Sequence, residues 1–184
     1  MRLFVAIQLS DKMKDALTAA QDELYDRGVR GRFTSEENLH VTLAFIGEYP
    51  AAEPVLDALS AVTFAPFEIA LEGMGCFGDL FWAGLAQSVS LETLARRVRR
   101  TLAEAGIPFD RKRFASHVTL IRKASGKLPG IRIPPVSMSV DTVSLMLSER
   151  GRNGMIYTEL GTVGALANGA GDTMENRQSE GESI

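Results

Sequence analysis

The chain has 184 residues, 45% hydrophobic and 23% charged, the make-up of a single globular domain able to bury its own core. Its one cysteine, Cys76, excludes an internal disulfide and points to a reducing compartment. A net charge of −3 argues against nucleic acid at first sight, but the last 21 residues carry all of it, in Asp172, Glu175, Glu180 and Glu182 against Arg177.

The chain opens on "LFVAIQL", an apolar run from Leu3 to Leu9 broken only by Gln8. It is too short for a membrane span and lacks the small-residue cleavage site of a signal peptide, so it reads as a buried strand of a cytoplasmic protein. Ser10 is placed to cap a helix that runs to about Arg27 and closes at Gly28. A turn, "TSEEN", leads into the strand "LHVTLAFI", which stops at Gly47. A short helix over about 52–61 comes next, then the strands "FEIALEGMG" and "LFWAGLA". A second long helix is predicted over about 91–105 and closes at Gly106. Leu91, Leu94, Val98 and Leu102 form its buried stripe, which leaves the arginines of "ARRVRR" on a solvated face. The last strands are "RFASHVTLI", "VSMSVDTVSLML" and "MIYTELGTV". Cys76, beside Gly75, reads as a small core residue, and Phe81 and Trp82 read as core rather than as a base-stacking platform. Residues 164–184 are rich in Gly, Ser, Asn and Glu and are expected to form a disordered acidic tail outside a domain of residues 1–163.

The tetrapeptide "HVTL" occurs at 40–43 and again at 117–120, and these two copies hold both histidines of the chain. The same offset of 77 relates "LFVA" at 3–6 to "LFWA" at 80–83, and Leu17 to Leu94; between Gly28 and Gly106 it slips by one residue. Each half reads strand, helix, loop, histidine strand. The expected fold is α+β: two pseudo-symmetric lobes, each a mainly antiparallel sheet backed by helices, around a central groove. Side chains alternate along a strand, so Val41, Leu43, Val118 and Leu120 enter the core while His40 with Thr42, and His117 with Thr119, leave the opposite face together. Phe4 and Phe81, as repeat equivalents, could flank that groove.

Two imidazoles and two hydroxyls around one small volume suit proton transfer at a phosphoryl group. One imidazole activates a nucleophile, the other protonates the departing oxygen, and the hydroxyls hold non-bridging oxygens. No Cys, Asp or Glu repeats beside the histidines, so no metal and no cofactor are expected. Nor is there a "GxxxxGK[ST]" phosphate loop or a "GxSxG" elbow. Basic residues precede each motif: Arg27, Arg30 and Arg32, then Arg111, Lys112 and Arg113. They could track a phosphate backbone or be ordinary solvated loop residues.

Together "MRLFVAIQL", "ENLHVTLAFIGE", "RFASHVTLIR" and "SERGRNGMIYTEL" resemble the 2H phosphoesterase superfamily and its RNA 2′,3′-cyclic phosphodiesterase branch, also called 2′-5′ RNA ligases. The likeness covers about residues 1–163. It implies a bilobal fold, no metal, and hydrolysis of a terminal 2′,3′-cyclic phosphate to a 2′-phosphate. His40 would be the proton donor to the departing 3′ oxygen and His117 the base that activates water. Thr42 and Thr119 would hold the phosphate, with Arg122 as a further phosphate ligand. Phe33 stands where members carry an aromatic residue before the first motif. Partners would be RNA or nucleotides with cyclic-phosphate ends, met by a monomer, with no membrane. The alternatives are ligation of such ends to 5′-hydroxyls and non-catalytic binding of RNA or nucleotide. Strand parity sets one condition: five residues after His117, Arg122 faces away unless the strand breaks its alternation near Ile121.

Overall fold

The computed structural model describes residues 1–167. The acidic tail expected from residue 164 falls outside the described residues from 168 onward. Ahead of that point, the last strand runs to Gly164, and the backbone amides of Ala165 and Leu166 donate to the carbonyls of Asp141 and Phe64.

Among the described residues nine strands and three α-helices follow one another as β1 (Arg2–Gln8), α1 (Asp11–Asp26), β2 (Arg30–Phe33), β3 (His40–Glu48), α2 (Glu53–Leu59), β4 (Phe67–Phe77), β5 (Leu80–Leu85), α3 (Val89–Glu104), β6 (His117–Ser125), β7 (Ser137–Val140), β8 (Thr142–Gly151) and β9 (Gly154–Gly164). A 3-10 turn over Glu36–Asn38 precedes β3. Ser10 and Ser88 cap α1 and α3 with their hydroxyls, accepting from Met13 and Leu91 at 3.3 and 3.1 Å. Gly28 and Gly106 follow the two helices with φ of +90° and +71°, backbone that favours glycine. The short strand β2 was not legible in "RGRF", which has no apolar alternation.

The sheet order is β7-β4-β5-β6-β3-β1-β8-β9, antiparallel throughout, with β2 added along the far part of β6. The fold is the α+β architecture expected, with one difference. The lobes do not own separate sheets, because β3 and β6 join them at the pair Val41–Val118. These two valines are each other's repeat equivalents, so the pseudo-two-fold axis passes between them. Both are fully buried, and the core lies on their side of the sheet. The helices cover that side crosswise: α1, from the first repeat, packs on β6, and α3, from the second, packs on β3.

The repeat holds in space at more than one offset. The histidine strands keep 77. The helices align at 78, with Ser10 matched to Ser88 and Gln21 to Arg99, so the pairing of Leu17 with Leu94 is one residue out. The first strands align at 76: Ala6 pairs with Thr42 as Trp82 pairs with Thr119, and Val5 with Ala44 as Phe81 with Ile121. The letters "LFVA" and "LFWA" therefore match one residue out of register. That displacement decides which aromatic meets the groove. Phe81, like Val5, is core, whereas Trp82 takes the place of Ala6 on the open face.

Trp82 is half-buried rather than core, lying flat over Gly75, where a Cβ would stand 2.2 Å from the indole. Cys76, expected in the core, is exposed. It sits near the tip of the β4–β5 hairpin.

Candidate active site

The register at Val41–Val118 places His40 across from Thr119, and Thr42 across from His117, on the face opposite the valines. Four polar side chains thereby share one small patch of the sheet, all of them half-buried. This arrangement follows directly from two copies of one tetrapeptide pairing antiparallel about their own valine.

Each imidazole is oriented by the same device. His40 Nδ1 donates to the carbonyl of Asn38, and His117 Nδ1 to that of Ala115, both at 2.7 Å. A carbonyl can only accept, so the proton sits on Nδ1 and Nε2 is left with its lone pair when the ring is neutral. Asn38 is itself buried and donates to the Met155 carbonyl at 2.7 Å, which ties the first histidine's support to the start of β9.

Arg122 lies beyond a break in alternation. Between the pairs Trp82–Thr119 and Phe81–Ile121 the ladder skips Leu120, and Leu120 and Ile121 are both fully buried. Two successive inward residues turn Arg122 round to the face of His117 and Thr119. Lys123 then adopts φ +52°. The first repeat carries the same bulge at Leu43, so Phe45 takes the corresponding place. A cavity of about 740 Å³ is lined by Phe4, His40, Thr42, Phe45, Arg122 and Tyr157. A neighbouring cavity of about 530 Å³ shares Arg122 and Tyr157 with it and adds Arg32, Phe33 and Asn38. His117 and Thr119 are not part of either wall; they stand across the β3–β6 joint, beside Trp82 and Phe77.

Both histidines titrate below the ordinary imidazole range. For His40 the main cause is burial, opposed by the Asn38 carbonyl and reinforced by the charges of Arg122 and His117. For His117 it is again burial, opposed by the Ala115 carbonyl and reinforced by Arg122. Arg122 thus stands close enough to act on both rings, and His117 to act on His40.

Of the aromatic walls around the rings, Phe4 was expected at the groove, whereas Tyr157, Phe77 and Trp82 were missed by sequence reading. Phe4 lies 4.9 Å and Tyr157 5.4 Å from the His40 ring, while Phe77 and Trp82 lie 5.4 and 6.3 Å from His117. Of the basic residues before the motifs, Arg32 reaches the groove side. Arg27 pairs with Glu23, and Arg30 lies over Tyr25 with its guanidinium 3.9 Å from the ring centre. Arg111 and Arg113 face another pocket, with Arg96, Arg99 and Arg100. The two loops therefore do not feed the groove symmetrically. Among the described residues no group of three or more His, Cys, Asp or Glu could hold a metal ion, and no helix is long and apolar enough to cross a membrane.

The family model described as LigT like Phosphoesterase matches the chain twice, over residues 7–81 and 84–157. The chain belongs to this family. The two matches divide it where its internal repeat divides it. A Thermus thermophilus protein named RNA 2′,3′-cyclic phosphodiesterase is 34% identical to this LigT-like chain over 179 residues, covering 87% of it and 88% of the relative. A Geobacillus stearothermophilus protein of the same name is 32% identical over 153 residues, covering 76% of this chain and 49% of its own, so the chain spans about half the length of that relative. Escherichia coli LigT, solved in complex with 3′-AMP, superposes with a TM-score of 0.78 at 27% identity, covering 90% of this chain and 98% of that one.

Proposed function

We propose that this LigT-like phosphoesterase is an RNA 2′,3′-cyclic phosphodiesterase that opens a terminal cyclic phosphate to a 2′-phosphomonoester by two-histidine acid–base catalysis. One observation carries the reading: two histidines with identical backbone anchors, placed on one face by a repeat-symmetric strand pair, with a guanidinium acting on both. The relatives' names supply the substrate class, and the E. coli complex supports a nucleotide in this groove.

The chemistry follows from the tautomers. His117, neutral with an open Nε2 lone pair, accepts a proton from water as the water attacks phosphorus. His40, protonated, donates from Nε2 to the 3′ oxygen as the P–O3′ bond breaks, leaving phosphate on the 2′ oxygen. In-line geometry needs base and acid on opposite sides of phosphorus, which the two sides of the β3–β6 joint provide. Thr42, Thr119 and Arg122 bind non-bridging oxygens, the planar guanidinium being suited to two at once. Before substrate arrives, Thr42 Oγ1 donates to His40 Nε2 at 2.9 Å, which favours the neutral ring. An anionic cyclic phosphate draws that hydroxyl away and favours the imidazolium, so binding loads the acid.

The test is incubation of the full chain with a nucleoside 2′,3′-cyclic phosphate in excess chelator, with the 2′- and 3′-phosphate products resolved. The expected result is the 2′-phosphate alone, at an undiminished rate. The 3′-phosphate as main product, or activity lost on chelation and restored by a divalent ion, would overturn the mechanism.

A further inference from the structure

The bulges that aim Arg122 and Phe45 are held by a pair of side chains outside the groove. Gln21 is a buried polar residue on the core-facing side of α1, a stripe otherwise made of Met13, Leu17, Ala20 and Leu24. Its side-chain amide donates to the carbonyl of Leu120, the residue the β5–β6 ladder skips, at 2.9 Å, and to that of Thr34 at 2.8 Å. The Thr34 amide donates to the same Leu120 oxygen at 2.9 Å. On the other side of the pseudo-axis, Arg99 of α3 donates from Nε to the carbonyl of Leu43, the residue skipped in β3, at 2.8 Å. From Nη1 it donates to that of Lys112, at 2.7 Å. Gln21 and Arg99 correspond at the helix offset of 78, as do Thr34 and Lys112, and Leu43 and Leu120 correspond at 77. The same clamp is built twice, with an amide in one copy and a guanidinium in the other, and each helix reaches across to the other repeat's histidine strand.

The Leu120 carbonyl, skipped by the β5–β6 ladder, takes its donors from Thr34 and Gln21 instead, and a buried glutamine has no reason to sit in an apolar stripe unless its donors are used. Were β6 to relax into regular alternation, Arg122 would rotate to the opposite face. Gly31 tightens the same spot from β2: a Cβ there would stand 2.7 Å from Ile121 Cγ2 and 2.9 Å from the Lys123 carbonyl, so β2 presses on the bulge from one side while Gln21 holds it from another.

We infer that Gln21 is the positioning residue of Arg122, holding the β6 bulge that turns the guanidinium onto the phosphate, and that Arg99 does the same for Phe45. The inference rests on the reading of Arg122 as a phosphate ligand.

A double-mutant cycle on the full chain separates this from a packing role. Gln21→Met keeps length and apolar contacts and removes the donors. It should lower kcat/KM for a nucleoside 2′,3′-cyclic phosphate about three- to tenfold, the loss of about one hydrogen bond, and weaken competitive inhibition by inorganic phosphate to a similar degree. In an Arg122→Ala background the same substitution should cost nothing more, because its effect passes through the missing side chain. Arg99→Met, acting on the other bulge, should multiply with Arg122→Ala and leave phosphate inhibition as it is. A Gln21→Met loss of equal size in both backgrounds would overturn the inference while leaving the phosphate reading intact. A fully active Arg122→Ala enzyme would overturn both. Should Gln21→Met fail to fold, Gln21→Leu, a smaller apolar side chain that also lacks donors, is put through the same cycle and decides with the same two outcomes.

Discussion

The two histidines have the same motif, the same kind of backbone anchor and equivalent places on paired strands, β3 and β6, yet different company. His40 sits between Phe4 and Tyr157, with its Nε2 already engaged by Thr42. His117 stands beside Phe77 and Trp82, and among the described residues no partner engages its Nε2. Three residues past each threonine, the first copy has Phe45 and the second Arg122. A duplicated strand pair thus supplies symmetry of position, and its neighbours supply the asymmetry that an acid and a base require. In the proposed mechanism environment, not motif, divides the work.

The first way to break this comparison is to remove each ring. His40→Ala and His117→Ala should each lower turnover by ~10²–10⁴-fold with the fold retained, as for lost acid–base groups. Near-normal turnover in either folded variant, read by cyclic-nucleotide hydrolysis beside a melting curve, would remove that ring from the mechanism.

The next effect down is the difference between positions 45 and 122. Arg122→Ala should cost about 10–10²-fold in kcat/KM, the range for a lost charged hydrogen bond. Arg122→Lys should recover only part of it, since an ammonium cannot reproduce the guanidinium fork. Phe45→Leu, on the symmetric bulge, should stay within about threefold, as expected where only apolar contact area changes. Equal losses at 45 and 122 would mean that shape at this position matters more than charge.

The smallest effect sharpens the comparison of the threonines. Each Thr→Val change should cost about two- to tenfold through a lost neutral hydrogen bond. Only Thr42→Val should also move a pH limb. Its hydroxyl favours neutral His40 in the free enzyme, so removing it raises the pKa of that ring and carries the alkaline limb of kcat/KM upward. Thr119→Val should leave both limbs in place. An alkaline limb that moves with Thr119 instead would exchange the two roles.

Much of this arrangement was legible in the sequence because it rests on short-range rules. Ser10 and Gly28 bound α1 through capping chemistry, and alternation in "HVTL" separates valine from histidine and threonine. What was not legible depended on registers between strands. Matching "LFVA" to "LFWA" by letters put Phe81 opposite Phe4. The pairing of β5 with β6, displaced by one residue, sends Phe81 inward and brings Trp82 to the groove. The arginines of "ARRVRR" were read as one solvated face, which holds for Arg96 and Arg100. Arg99 instead turns in to the Leu43 carbonyl, because a bulge on a strand far away in sequence needs a donor there. Parity at Arg122 stated the condition, a break near Ile121; only the ladder gives its place, at Leu120.

The division of labour between the rings is tested most directly by the pH dependence of kcat/KM in the wild type and the two alanine variants. Burial and Arg122 lower both pKa values, so the wild-type bell should be centred on the acid side of the ordinary imidazole value of about 6.5. Its acid limb is protonation of the base and its alkaline limb deprotonation of the acid, each belonging to the coupled pair. The residual activity of His117→Ala should lose the acid limb and keep the alkaline one, and that of His40→Ala should do the reverse. Limbs lost in the opposite order, or a wild-type rate that only climbs from about pH 5 to 9, would contradict the assignment of His40 as acid and His117 as base.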